Sequence, residues 1–141
     1  MREIPLTRKD FQRLAELRSK EAGVLARSRN QIGAYYLGGY AIECALKACI
    51  AKQTRRYEFP PKIKYVQKLY EHNLTNLLQI AELDTKLERD MQTNTRLATN
   101  WGVVKDWTEQ ARYRTSGLRG SDLYAAITGQ DGVLPWISQH W

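Results

Sequence analysis

AYYLGGYAIECALKACIAK, residues 34–52, is apolar enough to be the core of a small protein, yet it holds adjacent glycines, three tyrosines, a glutamate and a lysine. Plotted at about 100° per residue, Tyr36, Tyr40, Glu43 and Lys47 fall on one narrow stripe, spaced four, three and four apart. Leu37, Ala41, Cys44, Ala45 and Ala48 lie to one side of it, and Ile42, Leu46, Cys49 and Ile50 carry the apolar surface around the back. A helix that is apolar on nearly every side is a central one, packed by several neighbours. Gly38 and Gly39 each cost about 1 kcal/mol of helix propensity relative to Ala, and in return let another backbone approach closely. Two readings of the stripe follow. In one, Glu43 and Lys47 are an i,i+4 pair on a solvated face, with the tyrosine hydroxyls at the bundle edge. In the other, the stripe is a polar seam that binds something.

The rest of the chain is read outward from this helix. Thr7 followed by Asp10 predicts a helix start, with Asp standing in for the usual Glu of a capping box. Phe11, Leu14, Ala15, Ala22 and Leu25 give that first helix an apolar face to about Ala26, where residues 28–30 (SRN) offer a break or a new cap. The second helix is expected from about Gln31 to Gln53. Residues 54–72, TRRYEFPPKIKYVQKLYEH, contain Pro60 and Pro61, which forbid a continuous helix. Asn73 can cap a third helix bearing Leu74, Leu77, Leu78 and Ala81 at i, i+3, i+4, i+7. A fourth is expected to start near Asp84 or Thr85 and to present Leu87, Met91, Leu97, Trp101 and Val104. Residues 108–121, TEQARYRTSGLRGS, read as a loop. Ser121 is expected to cap a last helix that is interrupted at residues 128–132 (TGQDG) and resumes from Pro135, which a first helical turn tolerates. With no alternating strand pattern, the fold class is all-α, an antiparallel up-and-down bundle of four to five helices.

A chain of 141 residues is one domain, spanning 1–141. Its 43% hydrophobic and 26% charged composition is that of an ordinary globular protein, and its formal net charge of +7 favours acidic partners such as nucleic acid. Cys44 and Cys49 lie on different faces of one helix, which suits reduced thiols in a cytoplasmic setting and supplies no zinc site. The start MREIPLTRKDFQ shows no signal peptide, and no segment nears the roughly 20 apolar residues of a membrane span. No metal or cofactor is expected.

Four stretches, in this order, resemble the HEPN family of small helical bundles. Residues 34–51, AYYLGGYAIECALKACIA, are similar to its central helix; residues 72–78, HNLTNLL, to the opening of its third; Trp107 with Ala111, Arg112 and Tyr113 to its Trp followed by Arg-Tyr; and residues 121–127, SDLYAAI, to the start of its final helix. The resemblance implies one of several roles: an RNase toxin, a partner of a small nucleotidyltransferase in a toxin–antitoxin pair, or a non-catalytic RNA- or nucleotide-binding module, often a homodimer. Its RNases carry an Arg, four to six intervening residues, and a His that can move a proton while the Arg steadies charge on phosphate. This chain has only His72 and His140, with no Arg at that spacing before either, and Arg114 replaces the family's Pro after Arg-Tyr. The family's catalytic residues therefore do not carry over.

The expectation is a cytoplasmic HEPN-type binding or partner module, homodimeric, with RNA, a nucleotide or a nucleotidyltransferase-type protein as partner. One rival is an RNase with an atypical site made of His72, Arg112 and Arg114; another is a structural adaptor that binds no nucleic acid. His72 reads either as a residue of a turn or helix end or as a catalytic group. Arg112 and Arg114 read as binding residues on a loop, with the alternative that Arg112 pairs with a carboxylate such as Glu43. Residues 52–68 hold Lys52, Arg55, Arg56, Lys62, Lys64 and Lys68 against the single acid Glu58, with Tyr57, Phe59 and Tyr65 interleaved, a composition suited to single-stranded RNA. Trp136 and Trp141 are expected to cover the core or, preferably, a dimer partner.

Overall fold

The structure is a computed structural model describing residues 6–57 and 71–141, without the side chains of residues 54–57. Its described residues form an all-α bundle: α1 (Arg8–Arg27), α2 (Gln31–Tyr57), α3 (Leu74–Ile80), α4 (Asp84–Thr93), α5 (Thr95–Val104), a 3-10 helix (Glu109–Tyr113), α6 (Gly120–Thr128) and α7 (Val133–Ser138).

α1 begins with the expected capping box. Asp10 N–H donates to Thr7 Oγ1 at 3.2 Å, and Thr7 N–H donates to the Asp10 carboxylate at 2.8 Å. The Thr7 N–H bond, together with one from the Thr7 hydroxyl to the same carboxylate at 2.9 Å, favours the charged carboxylate and lowers the Asp10 pKa. The buried side of α1 is made of small residues, Ala15, Ser19, Ala22 and Gly23, so it lies close against α2. A Schellman motif ends the helix: Asn30 N–H donates to Leu25 O at 2.8 Å and Arg29 N–H to Ala26 O at 3.1 Å, with Arg29 at φ +64°. α3 closes in the same way, through Leu83 N–H to Leu78 O at 3.1 Å, Glu82 N–H to Gln79 O at 3.0 Å and Glu82 at φ +58°. Neither motif uses glycine at its left-handed position.

α2 is central. It packs against α1, α3, the 3-10 helix, α6 and α7, and Ala41, Ile42, Ala45 and Leu46 on it are fully buried. The backbone contact expected at the paired glycines is instead made by side chains: a Cβ on Gly39 would stand 2.2 Å from three atoms of the Trp107 indole, and one on Gly38 would meet Ile127 at 3.2 Å. Equal distances to atoms spread around the five-membered ring mean that the ring lies face-on over the helix. A second close approach was not foreseen. A Cβ on Gly120 would stand 2.1 Å from the Gln31 carbonyl oxygen, so the start of α6 rests directly on the start of α2.

Several boundaries differ from expectation. The helix expected from Asp84 through Val104 is two helices, because the Asn94 side chain accepts Leu97 N–H at 3.0 Å and starts a new one. Residues 109–113 form a 3-10 helix inside the expected loop. Ser121 is not the cap of α6. It lies within the helix, its N–H donating to Gln31 Oε1 at 2.8 Å and its hydroxyl accepting from Gln31 Nε2 at 2.9 Å. α7 starts at Val133, two residues before Pro135. Trp136 is buried in the chain's own core and donates through its indole N–H to Asp90 at 2.8 Å; Trp141 packs on the same core. For Trp136 the preference for a dimer contact is thereby corrected, since it covers the protein's own interior; Trp141 is half-buried against that interior.

Candidate functional site: a polar seam on the central helix

The Tyr36–Tyr40–Glu43–Lys47 stripe runs along one face of α2, as the helical period requires. The i,i+4 pair forms, with Lys47 Nζ donating to Glu43 Oε2 at 3.3 Å. It is not a solvated face, however, because Glu43 is 1% exposed. A buried carboxylate needs partners for both oxygens. The second oxygen meets His72, whose Nδ1 lies 2.7 Å from Glu43 Oε1. Against an ionised carboxylate Nδ1 carries the proton, which leaves Nε2 as the nitrogen the ring can offer elsewhere. The His72 side chain is 44% exposed, so the pair joins a buried anion to an accessible imidazole.

Local structure explains the meeting. His72 immediately precedes Asn73, whose side chain accepts Asn76 N–H at 3.0 Å and opens α3. The buried leucines of α3 then pin that start against α2. His72 was expected to serve a turn or a helix end; its observed role is to complete the coordination of a buried glutamate.

At the other end of the seam Tyr36 meets Tyr40, with ring centroids 6.1 Å apart, and stacks on Trp107 at 6.4 Å and 27°. Trp107 is 1% exposed, and its indole N–H has no hydrogen-bond partner among the described residues. Burial raises the Tyr40 pKa, with Cys44, Glu43 and Tyr36 adding to the effect and Arg18 of α1 opposing it. Tyr40 therefore remains a neutral hydroxyl at any ordinary pH. Arg18, which pairs with Glu21, is a seam neighbour that the sequence reading missed, because nothing in α1 marks which of its arginines faces α2.

Arg112 does not pair with Glu43. Its guanidinium lies 4.8 Å from the centroid of the Tyr113 ring, and hydrogen bonding to Tyr113 and then Tyr36 raises its pKa. Tyr113 is 69% exposed, so an aromatic face and a cation are displayed together. Arg114 is exposed and donates to Ser116 O at 3.4 Å. Glu43 lies seven positions after Tyr36, so the partners of Arg112 and of His72 are about 10 Å apart along the helix. The fold thus places His72 and Arg112 on one seam without bringing them together. Lys62 and Lys64 lie outside the described residues, as do the side chains of Arg55 and Arg56.

Among the described residues no group of three or more His, Cys, Asp or Glu could hold a metal ion, and no helix is long and apolar enough to cross a membrane. Fold and site together define an all-α bundle whose central helix carries a buried glutamate linked to an accessible histidine, with an exposed arginine–tyrosine pair two turns away. Compared with protein-family models, curated proteins and solved structures, the chain matches none.

Proposed function

We propose that this chain is a HEPN-type helical-bundle module that binds single-stranded RNA or a nucleotide along the α2 seam. The observation that carries this reading is the exposed Tyr113 ring with the Arg112 guanidinium 4.8 Å from its centroid. An unpaired base stacks on such a ring, and the guanidinium meets the adjoining phosphate. His72 and Lys47 add cationic or hydrogen-bonding groups farther along the seam, and the net charge of +7 supplies long-range attraction. The four stretches that resemble the HEPN family support the wider setting: a homodimer acting in a toxin–antitoxin or other RNA-related system, with a nucleotidyltransferase-type partner. Titrating a labelled single-stranded RNA at rising salt tests the binding. Affinity should fall steadily with salt, and Tyr113→Ala and Arg112→Gln should each weaken it, Tyr113→Ala with little change in salt slope. Affinity that ignores both salt and these substitutions would leave the structural-adaptor reading in its place.

A second reading, an RNase with an atypical site, is favoured by one observation, the Glu43–His72 pair. A carboxylate behind an imidazole orients it for proton transfer at Nε2. Against it, Arg112 is held about two helical turns from that imidazole's partner, too far to share one phosphate. Purified protein should leave mixed RNA intact. Cleavage that both His72→Ala and Arg112→Ala abolish would establish the enzyme.

A further inference from the structure

The Glu43–His72 pair decides what the exposed edge of the imidazole can recognise. We propose that His72 selects ribose over deoxyribose, its Nε2 accepting a hydrogen bond from a 2′-hydroxyl of a single strand lying along the seam. This role rests on the seam being a nucleic-acid site, and within that site it names the residue that tells RNA from DNA. Sequence alone does not show it, because the acceptor is created by a contact between α2 and the residue that precedes the cap of α3.

The tautomer is the first ground. Buried Glu43 has its Oε1 2.7 Å from His72 Nδ1, while its Oε2 accepts from the Lys47 ammonium at 3.3 Å. Nδ1 therefore holds the single proton of the neutral ring, and Nε2 is left with a lone pair. Such a nitrogen accepts from a hydroxyl or an amine; a phosphate oxygen, with no proton to offer, cannot bond it. Access is the second ground. The His72 side chain is 44% exposed. Among the described residues, the enclosed side-chain nitrogens and oxygens that lack a partner belong to Arg8, Trp107 and His140. Nε2 of His72, which no described residue bonds, therefore opens to solvent.

The third ground is what stands beside it. The Lys47 ammonium and the His72 imidazole occupy the two oxygens of one carboxylate, so a cation and an acceptor lie next to each other. One N–H of the ammonium is committed to Glu43, and the others remain to be used. In an RNA strand each 2′-hydroxyl neighbours the 3′-phosphate of the same ribose. The imidazole takes the hydroxyl and the ammonium takes the phosphate. DNA offers the phosphate alone, and its sugar would cover Nε2 without supplying a donor, which weakens its binding. A stacked strand advances about 3.4 Å per nucleotide, so the roughly 10 Å between the partners of Arg112 and of His72 is covered by two or three nucleotides. One strand can therefore stack a base on Tyr113 and present a ribose to His72.

The test is a titration at pH 8 and constant ionic strength with short single strands of several sequences, each made as RNA, as DNA and as 2′-fluoro RNA. The fluoro strand keeps the ribose pucker, adds little bulk and lacks the hydroxyl proton. RNA should bind about tenfold more tightly than either of the other two, whatever its sequence. His72→Ala should bring RNA down to the level of DNA. Since that variant also leaves Glu43 short of a partner, a second measurement uses the unaltered protein. The ¹⁵N NMR signal of His72 Nε2 should be that of an unprotonated nitrogen in the free protein, and should move on adding RNA but not on adding the fluoro strand. Equal affinity for the three strands would overturn the proposal while leaving strand binding in place. So would a preference that follows base sequence instead of sugar, which would assign Nε2 to a base amino group. Failure of every strand to bind would remove the nucleic-acid reading of the seam, and this role of His72 with it.

Discussion

At the residue scale, the seam shows how one buried charge organises its neighbours. Glu43 is 1% exposed and held by Lys47 at 3.3 Å and His72 at 2.7 Å. Glu43→Gln keeps the volume but turns an amide N–H₂ toward one of two donors. It should cost about 1–3 kcal/mol in urea unfolding, and a His72→Ala background should reduce that cost, since the lost bond is then already absent. Equal costs in both backgrounds would mean that the 2.7 Å contact contributes nothing to stability. The thiols make a second prediction. Cys44 and Cys49 are buried, form no disulfide, and have pKa values pushed up to about 12. In native protein at pH 8 neither should react with an alkylating reagent on the timescale of minutes, whereas both should react in denaturant. Rapid native labelling would show that the core opens at α2. That both cysteines lie inside was legible in their apolar surroundings. That His72 belongs to Glu43 was not, because their pairing depends on how α3 docks.

At the scale of elements, the helix ends carry the surprises. Arg29 and Glu82 hold the left-handed positions of two Schellman motifs, at φ +64° and +58°, where glycine is the usual residue. A side chain there costs roughly 1–2 kcal/mol, partly offset because glycine gains entropy in the unfolded chain. Arg29→Gly should therefore stabilise the protein by up to about 1 kcal/mol, seen as a higher melting temperature. A lower one would mean that the arginine makes contacts worth more than the strain. The paired glycines of α2 act in the opposite sense. Even a methyl group at Gly39 would meet the Trp107 ring at 2.2 Å, so Gly39→Ala should cost about 1–3 kcal/mol despite alanine's better helix propensity. Two adjacent glycines in an apolar helix announced a close approach, expected of another backbone; that the Trp107 ring makes it was not legible. It could not announce the helix break at Asn94, since asparagine inside a helical pattern is ordinary until its side chain is seen accepting Leu97 N–H.

On the scale of the whole molecule, pH reaches stability through groups with perturbed titration. The lowered pKa of His140 means that the unfolded chain binds its proton more readily than the folded one. Its contribution is present above the ordinary value of 6.5 and is lost as pH falls through the lowered folded value. Asp10, also lowered, contributes above its ordinary 3.8 and loses that contribution at more acidic pH. Urea midpoints should therefore decline as pH drops below about 6.5, and His140→Gln should flatten the upper part of that decline. A profile indifferent to His140 would remove that residue from the balance.

What the sequence determined by itself was the all-α class, the identity of the central helix, the capping box at Thr7 and the stripe from Tyr36 to Lys47. All of these are local, set by helical period, cap chemistry and apolar content within a few turns. The tertiary structure decided which polar groups meet: Glu43 with His72, Arg112 with Tyr113 and Tyr36, Trp107 over Gly39, and Lys52 with Lys86 and His140 around one cavity. These meetings join residues far apart in the chain, and their geometry depends on the packing angles of helices whose apolar faces alone admit several arrangements. Periodicity shows which side of a helix is buried; only the packed bundle shows what lies against it.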